Sequence, residues 1–261
     1  LLTPITVELN DESYVVEFPF FPSFDFTSKF DAVDFLRRSL TALSDLHKKS
    51  IIHNSINESS FYCSPADNNR VILGGINNSS HYTQNLINER STDVNAIKKT
   101  VKKYIKNAYT INPESKQIDP ILLDFLENDK DTDITLVHPL FQTSLEKLGF
   151  FEEAYKRIQC QSTEESKKLE KFSSEIFGKT WARNVPKTFL QEASKQRRYN
   201  TRLVKDLISL IRNKWEHKMK FIDSNDDNIK LIYGNGGPDC YFNYFHSKFP
   251  NLFMVVYDFC Q

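Results

Sequence analysis

Hydrophobic and polar positions change their period several times along the chain, and these changes predict the order of its elements. Apolar and polar residues alternate over residues 5–24, which is typical of a strand that runs into an extended connector rich in Phe and Pro. From Phe30 to Lys48 the apolar positions recur every three or four residues, which predicts an amphipathic helix. A short apolar run at Val71-Ile72-Leu73 predicts another strand.

The remainder of the chain is predicted to be almost entirely helical. Helical periods recur up to the carboxy terminus, and a polar loop rich in Asp, Asn and Gly interrupts them at residues 223–239. The predicted helices cover residues 93–108, 121–126, 144–157, 164–176, 187–196, 201–218 and 241–259. We therefore predict a mainly α fold.

The balance of acidic and basic residues differs between the two halves of the chain. The net charge is zero, with 34 basic and 34 acidic residues. Residues 1–158 carry more acidic than basic groups and residues 159–261 the reverse, so we predict two domains with these bounds. The window from Lys179 to Lys220 holds twelve Lys and Arg against three acidic residues. Such a window fits either a solvated helical face or a polyanionic partner.

Several classes of protein are disfavoured by composition. The four cysteines are widely separated, which fits reduced thiols in the cytosol better than a disulfide framework or a zinc site. No apolar run reaches the roughly 18 residues that span a bilayer, and no signal peptide opens the sequence. We expect a cytoplasmic protein, or the cytosol-facing part of a larger one, without a metal or cofactor.

The end of the predicted helix 201–218 carries residues suited to phosphate chemistry. Asn213 and His217 are four residues apart and share one helix face, and Arg212 beside them offers a planar fork of donors for a phosphate. No acidic cluster for a divalent metal accompanies them. A lone helical histidine is more often structural, but this grouping is what metal-free RNA cleavage requires.

The first half resembles the carboxy-terminal lobe of a protein kinase. Leu43-Ser44-Asp45-Leu46-His47 and residues 51–60 look like the helix and catalytic loop of that fold. The resemblance implies a truncated lobe in which His53 and Asp93 belong to the scaffold. Four functional positions are degenerate: they hold Ser55, Asn57, Ser60 and Leu73, the last opening the triplet Leu73-Gly74-Gly75. Phosphoryl transfer needs an acidic base and metal-holding groups at these positions, so we expect no kinase activity.

The second half resembles the kinase-extension nuclease (KEN) domain of ribonuclease L and of the inositol-requiring-enzyme family of unfolded-protein sensors. The motifs are His138-Pro139-Leu140-Phe141 at the join, Arg212-Asn213-Lys214-Trp215-Glu216-His217 in the nuclease, and the closing segment 244–252. The family's active-site tyrosine falls on Tyr199. The resemblance implies an all-helical ribonuclease domain that acts on single-stranded or stem-loop RNA.

The resemblance also implies roles for the site residues. The 2′-hydroxyl would attack the adjacent phosphorus and leave a 2′,3′-cyclic phosphate and a 5′-hydroxyl end. His217 would be the acid, Tyr199 the base, Arg212 the phosphate clamp and Asn213 an orienting group. The ordinary pKa of tyrosine is about 10, and neighbouring arginines could lower it. Three cations are expected to attract the RNA backbone: Lys214, Arg198 and Lys218.

Activity in the resembled family requires two chains to pair in parallel, so we expect a homodimer, activated through the kinase-dead region and by sensor domains upstream. One alternative is a non-catalytic pseudokinase and KEN scaffold that binds RNA or a protein partner. A residual phosphotransferase is disfavoured by Ser55 and Leu73. A nucleotide-gated ribonuclease remains open.

Overall fold

The computed structural model describes residues 6–10, 13–17, 23–24, 26, 31–49, 51–63, 71–74, 80–81, 86–111, 118–128, 137–218 and 226–261. Packing divides the chain into two compact units. The first comprises residues 1–116 and 128–136, and the second comprises residues 117–127 and 137–261. The predicted boundary between residues 158 and 159 separates functional domains and stays a prediction.

The first unit combines short antiparallel strands with two long helices. Its strands pair as β1 (Thr6–Asn10) with β2 (Ser13–Glu17), β3 (Ile51–Ile52) with β6 (Ser80–His81), and β4 (Phe61–Cys63) with β5 (Val71–Leu73). Its helices are α1 (Ala32–Lys48) and α2 (Leu86–Ile111), which pack on each other. Asp31 begins α1 by accepting hydrogen bonds from the Val33 and Asp34 amides.

Buried aromatic rings and one buried carboxylate hold this unit together. The rings of Phe35 and Phe61 lie 5.0 Å apart, and those of Phe26 and Tyr104 stack at 4.2 Å. The Asp93 carboxylate accepts hydrogen bonds from the His53 amide at 2.8 Å and the Asn54 amide at 2.9 Å, and it lies 3.1 Å from Nε2 of His47. Asp93 therefore fixes the loop that follows β3, as expected for a scaffold residue.

The described residues of the second unit form helices joined by loops and contain no strand. Its helices are α3 (Pro120–Glu127), α4 (Ser144–Cys160), α5 (Thr163–Glu170), α6 (Ser173–Phe177), α7 (Lys187–Ser194), α8 (Val204–Glu216), α9 (Asp227–Tyr233), α10 (Pro238–Lys248) and α11 (Leu252–Cys260). Two 3-10 turns lie at Pro139–Phe141 and Trp181–Asn184.

Helix α4 is the centre of this unit, since both α8 and α10 pack against it. A capping box between Thr143 and Glu146 begins α4. Its buried stripe recurs at helical spacing and consists of Leu148, Phe151, Ala154 and Ile158. This stripe meets apolar residues of α8 and α10, so the position of α8 is set by the core of the unit.

The mainly α prediction is confirmed, and the bounds of several elements need correction. The predicted helix 164–176 is two helices, α5 and α6, and the predicted helix 241–259 is α10 and α11, which are separate because Pro250 follows the end of α10. The predicted loop 223–239 contains α9, which Asp226 caps through the Asn228 and Ile229 amides. Much of the predicted connector, residues 219–225 and Gly75 lie outside the described residues.

None of the helices that the structure describes is both long and apolar enough to cross a bilayer.

Candidate functional site

Hydrogen bonds fix both ends of α8, the helix that carries Arg212 and Asn213. No side chain of its own N-cap, Leu203, caps the first turn. Instead, Glu170 of α5 accepts hydrogen bonds from the Val204 amide at 2.6 Å and the Lys205 amide at 3.1 Å. At the other end, Tyr233 Oη donates to the carbonyl of Lys214 at 3.0 Å. Two of the orphan amide donors at the start of α8 and one orphan carbonyl at its end are thereby satisfied.

The segment that precedes α8 carries Tyr199 and is held in place on two sides. Asp206, in the first turn of α8, accepts a hydrogen bond from the Asn200 amide at 2.7 Å. The Trp181 amide donates to the Thr201 carbonyl at 3.0 Å, and the Trp181 indole donates to the Leu203 carbonyl at 3.1 Å. Trp181 is fully buried, so the segment is attached to the core and Tyr199 has a defined position.

Asn213 lies at the centre of the site, and both the oxygen and the nitrogen of its side-chain amide make hydrogen bonds. Its Oδ1 accepts a hydrogen bond from Arg212 Nη1 at 2.9 Å. Its Nδ2 donates to Ser209 Oγ at 3.3 Å and, in a long contact, to Tyr199 Oη at 3.4 Å. Three side chains therefore determine which way the amide faces, and the structure brings together the predicted residues Tyr199, Arg212 and Asn213.

The Arg212 guanidinium is surrounded by acidic and aromatic groups. Its Nη2 lies 3.1 Å from Oε2 of Glu216 and 3.9 Å from Oε1 of Glu152. Its central carbon lies 5.8 Å from the ring centroid of Tyr155 on α4. The side chain keeps 24% of its surface exposed, so an incoming phosphate can reach it but must compete with Glu216.

Tyr155 is a second phenol of the site, and it carries a dense set of donors. Its Oη accepts hydrogen bonds from Arg197 Nη1 at 2.8 Å and from Gln159 Nε2 at 2.6 Å. A cleft of about 390 Å³ opens beside it, lined by Tyr155, Arg197, Asp206, Lys205 and polar residues of α4 and α5.

The pKa of Tyr199 is raised above the ordinary value of tyrosine, and the pKa of Tyr155 is lowered below it. Burial raises the pKa of Tyr199, and neither the Asn213 hydrogen bond nor the Arg197 charge offsets it. Burial also acts to raise the pKa of Tyr155, but hydrogen bonds from Arg197 and Ser209, with the charges of Arg197 and Arg212, outweigh it and leave that pKa lowered. Arg197, whose guanidinium carbon lies 5.5 Å from the ring centroid of Tyr199, does act to lower the pKa of Tyr199, but burial outweighs it.

His217 lies at the end of α8 with its side chain exposed. Its amide donates to the Asn213 carbonyl at 3.1 Å, so the residue completes the last helical turn on the face that Asn213 occupies. Across the residues that the structure describes, the imidazole makes no hydrogen bond or ion pair. It is placed one turn from Asn213 and is free to meet a ligand.

The three cations predicted to attract RNA occupy different environments. Lys214 is 1% exposed and donates to Gln196 Oε1 at 3.2 Å, so this position does not fit direct contact with an RNA backbone. Arg198 is exposed. Lys218 lies 3.6 Å from the ring centroid of Trp215, which itself packs 5.4 Å from the ring of Tyr241. Trp215 is therefore part of the packing.

The degenerate kinase positions in the first unit have local structural roles. Asn57 accepts a hydrogen bond from the Ser59 amide at 2.9 Å, and Ser60 Oγ accepts one from the Asn57 amide at 3.1 Å. Leu73 is buried in β5. The Ser55 hydroxyl lies 3.4 Å from Nδ1 of His53. Asn57 and Ser60 together form a capping box around a 3-10 turn.

Within the described parts of both units, His, Cys, Asp and Glu form no group of three or more that could hold a metal ion.

Comparison with known proteins shows what the second half of the chain is similar to. Residues 147–261 match the sequence model of the family described as Ribonuclease 2-5A. This match supports the resemblance of the second half to a kinase-extension nuclease domain. The matched stretch contains all four predicted residues, Tyr199, Arg212, Asn213 and His217.

Curated relatives extend the similarity upstream of the nuclease domain. A serine/threonine-protein kinase/endoribonuclease IRE1 of Oryza sativa subsp. japonica is 31% identical over 148 residues, which is 56% of this chain and 16% of that protein. An inactive serine/threonine-protein kinase/endoribonuclease IRE1-like protein of Arabidopsis thaliana is 29% identical over 191 residues, 66% of this chain and 32% of that protein. The chain spans about a third or less of the length of these relatives. It resembles a degenerate kinase lobe joined to a KEN domain.

Sequence reasoning missed Ser209 and Tyr155 as members of the site. Ser209 precedes Asn213 by four residues, so helical spacing alone could have placed it on the same face. Tyr155 lies on α4, and no signal in the sequence relates it to site residues more than forty positions away. Its membership follows only from the packing of α4 on α8.

Proposed function

We propose that this chain cleaves RNA by metal-independent transesterification. The observation that carries the proposal is the cluster of Arg212, Asn213 and Tyr199, with His217 exposed one turn away, inside a stretch that matches a ribonuclease family. The 2′-oxygen attacks phosphorus, the bond from phosphorus to the 5′-oxygen breaks, and the products are a 2′,3′-cyclic phosphate and a 5′-hydroxyl end.

In this proposal each residue has one task. His217 protonates the departing 5′-oxygen, which its exposed imidazole can reach without losing a partner. Arg212 binds the phosphate and stabilises the charge that develops on it. Asn213 orients the phosphate or the ribose. Tyr199 accepts the 2′-proton, a task that its raised pKa makes slow until the pH rises. The basic surface that includes Arg198 and Lys218 attracts single-stranded or stem-loop RNA.

We also propose that the first unit, the chain's pseudokinase region, supports the nuclease without transferring phosphate. Asn57 and Ser60 serve local turns, and Leu73 is a buried strand residue, so the described loop offers no group in these positions that could act as a base or hold magnesium. Activation would come from pairing of two chains in the cytosol, driven by further domains of a longer protein. A thermal-shift measurement with ATP, ADP and Mg²⁺ tests whether nucleotide binds this region.

A second candidate function is a scaffold that binds RNA or a protein without cleaving it. The relative from Arabidopsis thaliana whose name describes it as inactive favours this alternative. Retention of Tyr199, Arg212, Asn213 and His217 in one domain argues for the enzyme.

The test is cleavage of fluorescent single-stranded and stem-loop RNA in EDTA over a range of protein concentrations, beside His217→Ala prepared identically. We expect cleavage that His217→Ala abolishes, with cyclic phosphate at the new 3′ end. A substrate with 2′-deoxyribose at the cleavage site must stay intact, because it lacks the nucleophile. Equal inactivity of the two proteins, even when dimerised by a fused coiled coil, would leave the scaffold function in its place.

A further inference from the structure

A polar cleft opens at the start of α8, beside the proposed active residues, and the proposed reaction makes no use of it. The cleft encloses about 390 Å³, which is within the range of sites that bind small organic molecules. Most of its lining side chains are charged or can form hydrogen bonds, among them Tyr155, Gln161, Arg197, Lys205 and Asp206. The lining therefore favours a ligand that is itself charged or polar.

The charges of the cleft favour an anion. Arg197 and Lys205 are both exposed, so their cationic groups can meet a ligand. Among the lining residues only Asp206 carries a carboxylate. That carboxylate accepts a hydrogen bond from the Asn200 amide at 2.7 Å and lies 3.4 Å from Arg197 Nη2. Two cations against one engaged carboxylate leave a net positive charge, which suits a phosphate group.

Gln161 adds a requirement for a hydrogen-bond donor. It directly follows α4, and it lines the cleft. Its Oε1 is buried and has no hydrogen-bond partner within the part of the chain that the structure describes. A buried acceptor without a donor is costly, so a ligand that brings a hydroxyl or amino group gains by meeting it. A nucleotide carries such a donor together with a phosphate.

The cleft shares two side chains with the surroundings of the proposed active residues. Tyr155 Oη accepts a hydrogen bond from Arg197 Nη1 at 2.8 Å. The guanidinium carbon of Arg212 lies 5.8 Å from the ring centroid of Tyr155, and that of Arg197 lies 5.5 Å from the ring centroid of Tyr199. A strand whose cleaved phosphate lies on Arg212 therefore has the cleft directly beside it.

The order of residues along α8 indicates which side of the cleavage site the cleft serves. Lys205 lies in the first turn, Arg212 about two turns later, and His217 follows the last turn. In the proposed reaction His217 protonates the 5′-oxygen, which belongs to the nucleotide downstream of the cut. Since Arg212 holds the cleaved phosphate between the two ends of α8, the cleft lies on the upstream side.

We propose that this cleft is a subsite for the RNA nucleotide immediately upstream of the ribose that supplies the attacking 2′-hydroxyl. Arg197 and Lys205 bind the phosphate that joins this nucleotide to that ribose, and Gln161 accepts a hydrogen bond from its base or ribose. This inference rests on the proposed function and deepens it, because it names the part of the substrate that the residues beside the active cluster recognise.

The experiment measures what one upstream nucleotide adds to affinity. Fluorescence anisotropy compares three oligonucleotides that carry 2′-deoxyribose at the cleavage site. One begins at that ribose, one has a further nucleotide on its 5′ side, and one has a further nucleotide on its 3′ side. We expect the 5′ nucleotide to lower Kd in the wild-type protein. Lys205→Gln should reduce this gain about 3- to 10-fold, in the range of one charged hydrogen bond.

Two further readouts separate the phosphate contact from the neutral one. Loss of one phosphate contact to a single strand should lower the slope of log Kd against log salt by about 0.7 in Lys205→Gln. Gln161→Ala should also reduce the gain but keep the wild-type slope, since it removes no charge. Lys187→Gln is the matched control, because this exposed lysine of α7 does not line the cleft, and the gain should persist in it.

The main variant is suited to the test because it spares the fold. Glu170 accepts a hydrogen bond from the backbone amide of Lys205, which Lys205→Gln retains. Thermal unfolding of each variant checks this directly. Gln161→Ala provides the second test of the gain if Lys205→Gln does not fold.

The outcomes distinguish the subsite from the proposed function. No gain from the 5′ nucleotide, or an equal loss of affinity for all three oligonucleotides in Lys205→Gln, would overturn the subsite while leaving the ribonuclease intact. A nucleoside monophosphate that binds with the same dependence on Lys205, while the 5′ nucleotide adds nothing, would assign the cleft to free nucleotides and overturn its role in RNA binding. Absence of cleavage by the wild-type protein as a forced dimer, with a gain that depends on Lys205, would overturn the proposed function and leave the cleft as an RNA-binding site.

Discussion

Arg212 is held by opposite charge before any RNA arrives. Glu216, four residues later on α8, lies 3.1 Å from its Nη2, and Glu152 lies 3.9 Å away. Both carboxylates are about half exposed, so water screens them and each pair contributes little. A dianionic phosphorane can therefore displace the two carboxylates from Arg212. A weakly bound phosphate, by contrast, competes with them for Arg212 on nearly equal terms.

Substitution of Glu216 by Gln is predicted to tighten RNA binding. Removal of the carboxylate frees Arg212 from an exposed ion pair, whose contribution of about 0.2–1 kcal/mol corresponds to a fall in Kd of up to about fivefold. Fluorescence anisotropy with a 2′-deoxy substrate analogue at low salt measures the effect. Glu164→Gln on α5 removes the same charge from a pair with Lys167 and should not change affinity. An equal gain from both variants would mean that only net charge matters.

The raised pKa of Tyr199 gives a prediction for the dependence of rate on pH. A phenol whose pKa lies above about 10 is ionised to less than about 0.1% at pH 7, and its ionised fraction rises tenfold with each unit of pH. If Tyr199 is the base, single-turnover rates should rise with that slope through the neutral range.

Replacement of Tyr199 by Phe should remove this rise as well as lower the rate. Rates are measured from pH 5.5 to 9 at constant ionic strength, with Tyr257→Phe as the matched control. A Tyr199→Phe protein that keeps the wild-type slope would show that a group other than Tyr199 takes the 2′-proton.

Sequence spacing predicted part of this site and could not predict the rest. Arg212, Asn213 and His217 lie within one and a half turns of one helix, so their proximity follows from helical geometry. Tyr155 reaches the site through packing of α4, and the pKa of Tyr199 depends on burial that only the folded segment around Trp181 creates. Local sequence patterns predict neither how helices pack on each other nor how deeply a side chain is buried.

At the scale of elements, α8 depends on a cap supplied by another helix. Glu170 accepts hydrogen bonds from two amides at the start of α8, where Leu203 offers none. Burial raises the pKa of Glu170, so its carboxylate is desolvated while these two amides compensate only in part. A cap that belongs to α5 makes the start of α8 depend on how the two helices pack.

Glu170→Ala is predicted to destabilise the second unit by about 1 kcal/mol, the usual contribution of a helix cap. Urea unfolding followed by tryptophan fluorescence measures it, because both tryptophans, Trp181 and Trp215, lie in this unit. Glu170→Gln keeps an acceptor and should lose less. Glu164→Ala, an exposed neighbour on α5, serves as the control, and a loss as large as that of Glu170→Ala would argue against the cap.

Helices with a regular apolar stripe or a clear capping residue could be predicted from the sequence. Short helices inside polar stretches could not. Helix α1 shows a full apolar stripe after Asp31, and its predicted and observed bounds differ by two residues at the start. Helix α9 is short, lies in an Asp- and Asn-rich stretch, and ends at Gly234 with φ of 52°, a conformation that favours glycine. Its stability comes from Ile229, Ile232 and Tyr233, which are buried by neighbouring helices.

In the first unit, Asp93 is predicted to be structural and not catalytic. Asp93→Ala would leave the buried amides of His53 and Asn54 and the imidazole of His47 without their acceptor, at a cost of about 3 kcal/mol. Urea unfolding followed by far-ultraviolet circular dichroism should show a lower midpoint. Asp45→Ala, an exposed residue paired with Lys48, should not shift it.

For the whole molecule, the decisive quantity is how activity depends on protein concentration. The resemblance implies that two chains must pair, and the proposed active residues of a single chain leave the His217 imidazole exposed, as a site completed by a second chain would. Below the dimer dissociation constant the dimer concentration grows as the square of the total, so the cleavage rate should rise about fourfold for each doubling of protein.

A fused coiled coil that holds two chains in parallel should make the rate proportional to total protein and raise it at low concentration. Analytical ultracentrifugation over the same concentrations provides the dimer fraction, which should superimpose on the specific activity. An antiparallel fusion is the matched control, since it supplies the same local concentration without the parallel arrangement. Specific activity that stays constant while the protein is monomeric would show that one chain suffices, and the role of the first unit in pairing would then have to be abandoned.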